Sequence, residues 1–345
     1  MKKLMMIGPA SRHLSGYLKL IDGYFDQVAV VASRPMPELA DWADRQLVVD
    51  PSLRSPAGFL KSIGQISRTI EQVRPDVIHV QQAGTMALAV MIANRKARIP
   101  VILTVMGSDV LVVPKQGWLQ DKMVRAILRK ADFVTCDAEI SAQACLSLTG
   151  RLNGVSVVNF GVDDLYDERV EKERLVYSNR LHEPVYRIEQ AMKLFSGFAV
   201  SHPEWRMVIA GQGSLTLDLQ RKAASSPTGK YEFAGWLAPE DNLRYYRRSA
   251  IYLSLPESDA TSVSLLEAMS AGCIPVVSDL PANREWVRDG VNGIIDSGGG
   301  ENPLLRAIGL NPLEVARYNR QMLAERASRS RAKQSFIDIY EKIYG

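Results

Sequence analysis

Cysteine is scarce in this 345-residue chain: Cys136, Cys145 and Cys273 are odd in number and lie in apolar surroundings. That excludes a disulfide framework and reads as reduced core thiols of a cytosolic protein. No apolar run approaches the ~20 residues of a membrane-spanning helix. After Met1-Lys2-Lys3 only Leu4 to Ile7 is apolar before Gly8-Pro9, too short for the apolar stretch of a secretion signal. Net charge is also small, +4, which by itself indicates no nucleic-acid partner. There is no G-x-G-x-x-G after a strand, so a dinucleotide-dependent oxidoreductase is disfavoured. Internal repeats, low-complexity tracts and His/Cys clusters at metal-ligand spacing are missing as well.

What is present is an ordinary globular composition, 46% apolar and 23% charged, over a length that suits two domains. Strand and helix signals alternate, which predicts parallel sheets covered by helices on both faces. Strands are expected at Lys3 to Ile7, Val28 to Ser33, Gln46 to Val49, Pro75 to Gln82, Pro100 to Val105 and Phe133 to Cys136. A helix is expected from Pro56 to Val73, where Phe59, Leu60, Ile63, Ile66 and Ile70 recur at helical spacing. A second α/β set begins at Leu175-Val176-Tyr177, after a charged stretch from Asp167 to Arg174 that reads as a linker. The tail from Pro312 to Tyr344 reads as helical, with Phe336, Ile339, Tyr340 and Ile343 on one face.

The stretch from Ser254 to Asp296 carries the most chemistry. Tyr252 to Leu255 reads as a strand, Asp259 as a loop residue, and Val263, Leu265, Leu266 and Met269 as a helix bearing Glu267. Thr261 and Ser262 fall where an N-cap belongs, and such a helix start is an anion site. If the whole path were helical, the two carboxylates would lie about 12 Å apart along the axis. Two acids flanking exposed amides suit a ligand with hydroxyls at both ends and a diphosphate between, which describes a nucleotide-sugar.

Asp259, Glu267-Ala268-Met269, Gly272 and Pro275-Val276-Val277 together resemble the donor-site signature of retaining glycosyltransferases of the GT-B fold, family four, also called glycosyl transferases group 1. Asp259 stands where that family usually has Glu. The resemblance implies an α/β chain with two Rossmann-like domains facing across a cleft and a C-terminal helix crossing back to the N-terminal domain. Residues 1–165 would bind the acceptor and 175–320 the nucleotide-sugar, and 321–345 would form the returning helix.

The resemblance also implies roles. Arg180 and Arg187 would neutralise the leaving diphosphate, although Tyr186 stands where a Lys is commonest. Amides at Thr261, Ser262 and Val263 would complete the phosphate cradle, with Glu267 on the ribose diol and Asp259 on the sugar. Gly211-Gln212-Gly213 resembles the family's Gly-x-Gly turn, and Trp236 and Leu237 follow a Gly where the base commonly meets the backbone; Trp236 is equally a core candidate. Gly16 is the candidate for a glycine near the phosphates, or simply part of a helix start. Arg12, His13, Tyr17, Gln81, Gly107, Ser108 and Asp109 are the acceptor-side candidates. Met106 replaces the family's sugar-holding His, Gln81 replaces a second His, and Asp109 has capping the next helix as its alternative. His79 is expected to be structural.

The activity so implied is transfer from a nucleoside diphosphate sugar, UDP first and GDP next, to a glycan or lipid-linked glycan acceptor in surface polysaccharide synthesis. No metal cofactor is expected, since the Asp-x-Asp of metal-dependent glycosyltransferases is missing. The basic amphipathic segment Lys115 to Lys130 reads either as a solvated helix face or as a peripheral contact with the cytoplasmic face of the inner membrane. A nucleotide-sugar epimerase on the same fold, or a non-catalytic binding or scaffolding subunit, is the alternative.

Overall fold

The computed structural model describes residues 1–150, 154–228 and 230–344. Two compact units emerge: Met1–Phe160 with Arg329–Gly345, and Gly161–Ser328.

The first unit runs β1 (Lys3–Gly8), α1 (Arg12–Leu20), β2 (Gln27–Ala32), β3 (Arg45–Val48), α2 (Pro56–Val73), β4 (Val77–Gln81), α3 (Thr85–Ala93), β5 (Val101–Val105), α4 (Ser108–Leu111), α5 (Trp118–Lys130), β6 (Phe133–Cys136), α6 (Glu139–Thr149) and β7 (Val155–Val157). Its seven strands are parallel in the order β3-β2-β1-β4-β5-β6-β7. Side chains of β1 alternate between the two faces: Met5 and Ile7 join one core, Leu4 and Met6 the other. A strand buried on both faces reads as a continuous apolar run, which is why KLMMIG was legible as a strand. Helix α2 shows how local signals set boundaries. Ser55 caps its start by accepting from the Gly58 amide, Pro56 takes the first turn, and Arg74 closes it in the left-handed region before Pro75.

The second unit runs β8 (Glu173–Ser178), α7 (Ile188–Ala199), β9 (Arg206–Ala210), α8 (Thr216–Ala224), β10 (Tyr231–Gly235), α9 (Pro239–Arg248), β11 (Ser249–Ser254), α10 (Val263–Ser270), β12 (Ile274–Ser278), α11 (Pro281–Arg284), β13 (Ile294–Asp296), α12 (Pro303–Ile308) and α13 (Pro312–Arg326). Its six parallel strands follow the order β10-β9-β8-β11-β12-β13. Both units are therefore Rossmann-like, each with a core on either side of its sheet.

Four expectations are corrected here. The tail is two helices, since α13 stops at Arg326 and α14 (Arg329–Tyr344) begins after Ala327-Ser328. The unit boundaries fall after residues 160 and 328 rather than at 165, 175 and 320. The supposed linker is tied into the second unit instead: Lys172 Nζ donates to Ala271 O at 2.8 Å, Arg206 pairs with Glu173 at 3.0 Å, and Arg247 reaches Asp167 at 4.0 Å. Its charges have fixed partners, and for that reason a charged composition misread as solvated chain. Finally, α1 starts at Arg12, capped by Ser11, and not at Tyr17.

In the first unit α14 supplies Phe336, Ile339 and Tyr340 to the core that also holds Tyr17. Tyr340 OH lies 2.7 Å from Tyr17 OH and 2.6 Å from His79 Nδ1. The opposite ring nitrogen of His79 meets Thr104 Oγ1 at 2.6 Å, which meets Thr135 Oγ1 at 2.6 Å. Burial lowers the His79 pKa to about 3, so the ring is neutral.

Candidate functional site

In the second sheet the strand order reverses between β8 and β11, the place where open α/β sheets collect ligands at their carboxyl ends. The loop after β8 brings Arg180 there, and the loop after β11 brings Asp259, Thr261 and Ser262. Ser262 caps α10, its hydroxyl accepting from Leu265 N. Among the described residues the amides of Thr261, Ser262, Val263 and Ser264 donate to no other protein group. Thr261 turns inward, its hydroxyl accepting from Trp286 Nε1 at 3.2 Å, and this fixes the approach to the helix.

The Arg180 guanidinium sits at this helix start. One terminal nitrogen donates to Ser262 Oγ and the other to Asp259 Oδ2 at 2.6 Å, while Tyr186 stacks on it with its ring centroid 4.5 Å from Cζ. Burial works against the Arg180 charge, but Asp259, with Tyr252 and Tyr186, overcomes it and holds the pKa above the ordinary arginine value. These two bonds use two of its five N–H donors, so the group retains capacity for a further anion. Tyr186 thus acts as a platform for the cation, and no Lys is present at that position.

Glycines let the loops meet. A Cβ on Gly211, at φ +107°, would lie 2.6 Å from Arg180 O, and one on Gly213 would lie 2.5 Å from His182 O. His182 N donates to Gln212 O at 3.2 Å and Leu215 N donates back to His182 O at 2.9 Å. The Gly-x-Gly turn is therefore the backing against which the Arg180 loop is set.

Glu267, half-buried on α10, sits in a field of phenols. Burial raises the Tyr246 pKa well above its ordinary value and the Glu267 charge adds to that. Sequence reading missed the network around it. Asn179 Nδ2 donates to Tyr246 OH at 2.7 Å and to Asn242 Oδ1 at 2.9 Å, Tyr177 OH donates to Asn242 Oδ1 at 2.6 Å, and Tyr252 OH donates to Asn179 Oδ1 at 3.1 Å. The available signal was Asn242 and Tyr246 at i, i+4 on an otherwise charged helix.

The other expected residues are distributed as follows. Arg187 is exposed, closes the turn at Pro184–Tyr186 in the left-handed region at φ 50°, and has no ion pair among the described residues. Trp236 is 57% exposed rather than a core residue, and Leu237 packs on the core beneath α10. Arg12 and His13 are exposed at the start of α1.

Three first-unit expectations change. Gly16 lies in the second turn of α1, with nothing within 4 Å of a Cβ added there, because Ser11 starts the helix early. Tyr17 is wholly buried in the core with its hydroxyl on Tyr340, so it is not available to an acceptor. Asp109 is 1% exposed and braces the backbone, accepting from Ala83 N at 2.7 Å and Met106 N at 3.0 Å. Gly107 permits that turn at φ 83°, and Ser108 alone of the three is exposed. Gln81 is buried, and its Nε2 has no partner among the described residues.

Two Rossmann-like units, the second with an open helix start at its switch point, define a chain of the GT-B class. Residues 166–302 match the family described as Glycosyl transferases group 1, and residues 11–138 match Glycosyl transferase 4-like. The second unit thus carries a glycosyl transferases group 1 match and the first a glycosyl transferase 4-like match. It is 24% identical over 230 residues to sulfoquinovosyl transferase SQD2 of Arabidopsis thaliana, covering 62% of this chain and 44% of that protein. It is 22% identical over 280 residues to alpha-monoglucosyldiacylglycerol synthase of Streptococcus pneumoniae, covering 73% of this chain and 61% of that protein. The chain thus spans roughly half the length of these relatives. Anabaena HepE in complex with UDP-glucose has the same fold, with a TM-score of 0.80 at 16% identity over 100% of both chains.

Proposed function

We propose that this chain is a retaining glycosyltransferase that takes a UDP-sugar, with a GDP-sugar as the next choice, and glycosylates a glycan or lipid-linked glycan of surface polysaccharide synthesis. One observation carries this reading: a buried Arg180, paired with Asp259, bonded to Ser262 at the start of α10, the helix that bears Glu267. Arg180 and the exposed Arg187 neutralise the diphosphate as the glycosidic bond breaks, and preorganised donors at that point lower the barrier. Glu267 takes the ribose diol, Asp259 the sugar hydroxyls, and backbone at Trp236 and Leu237 the base. The leaving phosphate accepts the proton of the incoming hydroxyl on the same face, so no protein nucleophile is required. The charge is handled by arginines and amides, and turnover is expected to survive a chelator.

The first unit holds the acceptor. Among the described residues no helix is long and apolar enough to cross a membrane. Peripheral contact is assigned to the start of α5, where Trp118 and Leu119 are 66% and 60% exposed beside Lys115 and Lys122.

The test is thermal-shift binding of UDP, GDP, ADP and CMP to the wild type and to Glu267→Ala. A ligand that binds only the folded form raises stability by RT ln(1 + [L]/Kd). A shift with one nucleotide that is lost in the variant, together with lost sugar transfer, supports the reading. No shift with any nucleotide at millimolar concentration transfers support to a non-catalytic binding subunit, and unchanged turnover in Glu267→Ala removes that residue's role.

A further inference from the structure

Asn179 follows the last residue of β8, directly before Arg180, and its side chain joins β8 to α9 and β11. Both of its N–H groups and its carbonyl oxygen are engaged. Nδ2 donates to Asn242 Oδ1 at 2.9 Å and to Tyr246 OH at 2.7 Å, while Oδ1 accepts from Tyr252 OH at 3.1 Å. An ionised Asp of the same shape could only accept, and a Leu could do neither.

These bonds point one way. Tyr252 spends its proton on Asn179, and its oxygen accepts from the Arg180 guanidinium. Tyr246 accepts from Asn179, which leaves its own proton for α10, where it meets the Ser264 side chain and feels the charge of Glu267 on the same helix. From Arg180 through Tyr252, Asn179 and Tyr246 to α10, each step therefore donates away from the cation and toward the helix that carries the carboxylate. In such a chain each bond polarises the next. Burial pushes the Tyr252 pKa up to about 12 and that of Tyr246 well above its ordinary value, so both phenols keep their protons at neutral pH.

We propose that Asn179 is a positioning residue for sugar transfer, which sets Arg180 and the Glu267 helix as one unit through Tyr252 and Tyr246. The grip on the donor's diphosphate and the grip on its ribose then strengthen together. The inference rests on the donor-site reading of Arg180 and Glu267, and it adds that the two residues do not act independently. Loosening the chain at the Arg180 end should therefore be felt at the ribose end.

The experiment compares, by calorimetry on the full chain, the affinities for UDP and for 2′,3′-dideoxy-UDP, which lacks the ribose diol. GDP and its dideoxy form take their place if GDP is the nucleotide that the wild type binds. The wild type should prefer the diol about tenfold, as expected for a hydrogen bond to a charged group, and Glu267→Ala should lose that preference. Tyr252→Phe removes the hydroxyl between Arg180 and Asn179 and keeps the ring in the core. This variant and Asn179→Ala should each cut the preference to about threefold, a partial loss of the same bond, although neither residue lies on α10. A side chain that merely braced the Arg180 loop would weaken both nucleotides by one factor, so an intact preference in Tyr252→Phe overturns the proposal. Tyr252→Phe decides the matter alone if Asn179→Ala does not fold. A wild type that binds neither nucleotide, or binds without preference for the diol, removes the donor-site reading itself and the proposal with it.

Discussion

Lowering the pH from 7 to 5 should destabilise the first unit by about 2 kcal/mol through His79 alone. The native ring is neutral, with its pKa lowered by burial to about 3 from an ordinary 6.5. In the unfolded chain the same ring takes up a proton as the pH falls through 6.5. The unfolded state then binds more protons than the native one, and stability falls by about 1.36 kcal/mol per pH unit. This contribution is intact above pH 6.5 and is lost progressively toward pH 3. Carboxylates with low native pKa, such as Asp167 and Glu189 at about 2, act below the ordinary carboxylate values, so they fall outside the pH 5 to 7 window. His182, also lowered chiefly by burial, lies in the other unit, so the reading must be local. Hydrogen exchange of the β4 peptide across this range, in wild type and in His79→Gln, supplies it. The variant should be less stable at pH 7, having lost the bonds to Tyr340 and Thr104, but its stability should change about 2 kcal/mol less between the two pH values. Parallel pH curves for the two proteins would refute the argument.

Arg180→Lys keeps the charge but loses the fork that reaches Ser262 and Asp259 together and the plane that stacks on Tyr186. Steady-state kinetics should show kcat reduced roughly 100- to 1,000-fold, with a lowered melting temperature from the lost buried bonds. Two glycine substitutions should separate in sign when followed by urea unfolding. Gly211→Ala, facing Arg180 O at 2.6 Å and at φ +107°, should cost about 2 kcal/mol or more. Gly16→Ala, in open space within α1, should gain about 0.5 to 1 kcal/mol and leave nucleotide binding intact.

Features set by neighbouring residues were legible in the sequence. Ser55-Pro56 and Pro75 bound α2, Phe133 to Cys136 gave β6, and Ser262 marked the start of α10. Features set by tertiary contact were not. The Asp259 pair with Arg180 joins residues 79 positions apart, and the phenol network of Tyr177, Tyr246 and Tyr252 gathers three separate elements. Helix α3 escaped because Thr85 to Ala93 is apolar nearly all round and shows no periodicity. Asp109 misled because an acid after a Gly looks alike whether it faces a ligand or accepts from Ala83 and Met106. Tyr17 misled through a boundary error, since a helix that begins at Arg12 turns residue 17 into the core.

The place of α14 in the first unit has a consequence for synthesis. The core that holds Tyr17 and His79 is completed by Phe336 and Tyr340, yet the whole of Gly161–Ser328 is made in between. At about 5 to 20 residues per second the ribosome needs roughly 10 to 30 s for that stretch. During this interval the nascent first half carries an uncovered apolar face, while the second unit, continuous in sequence, is free to fold. The chain therefore finishes its earlier half last, and that interval is the period in which a chaperone would be needed.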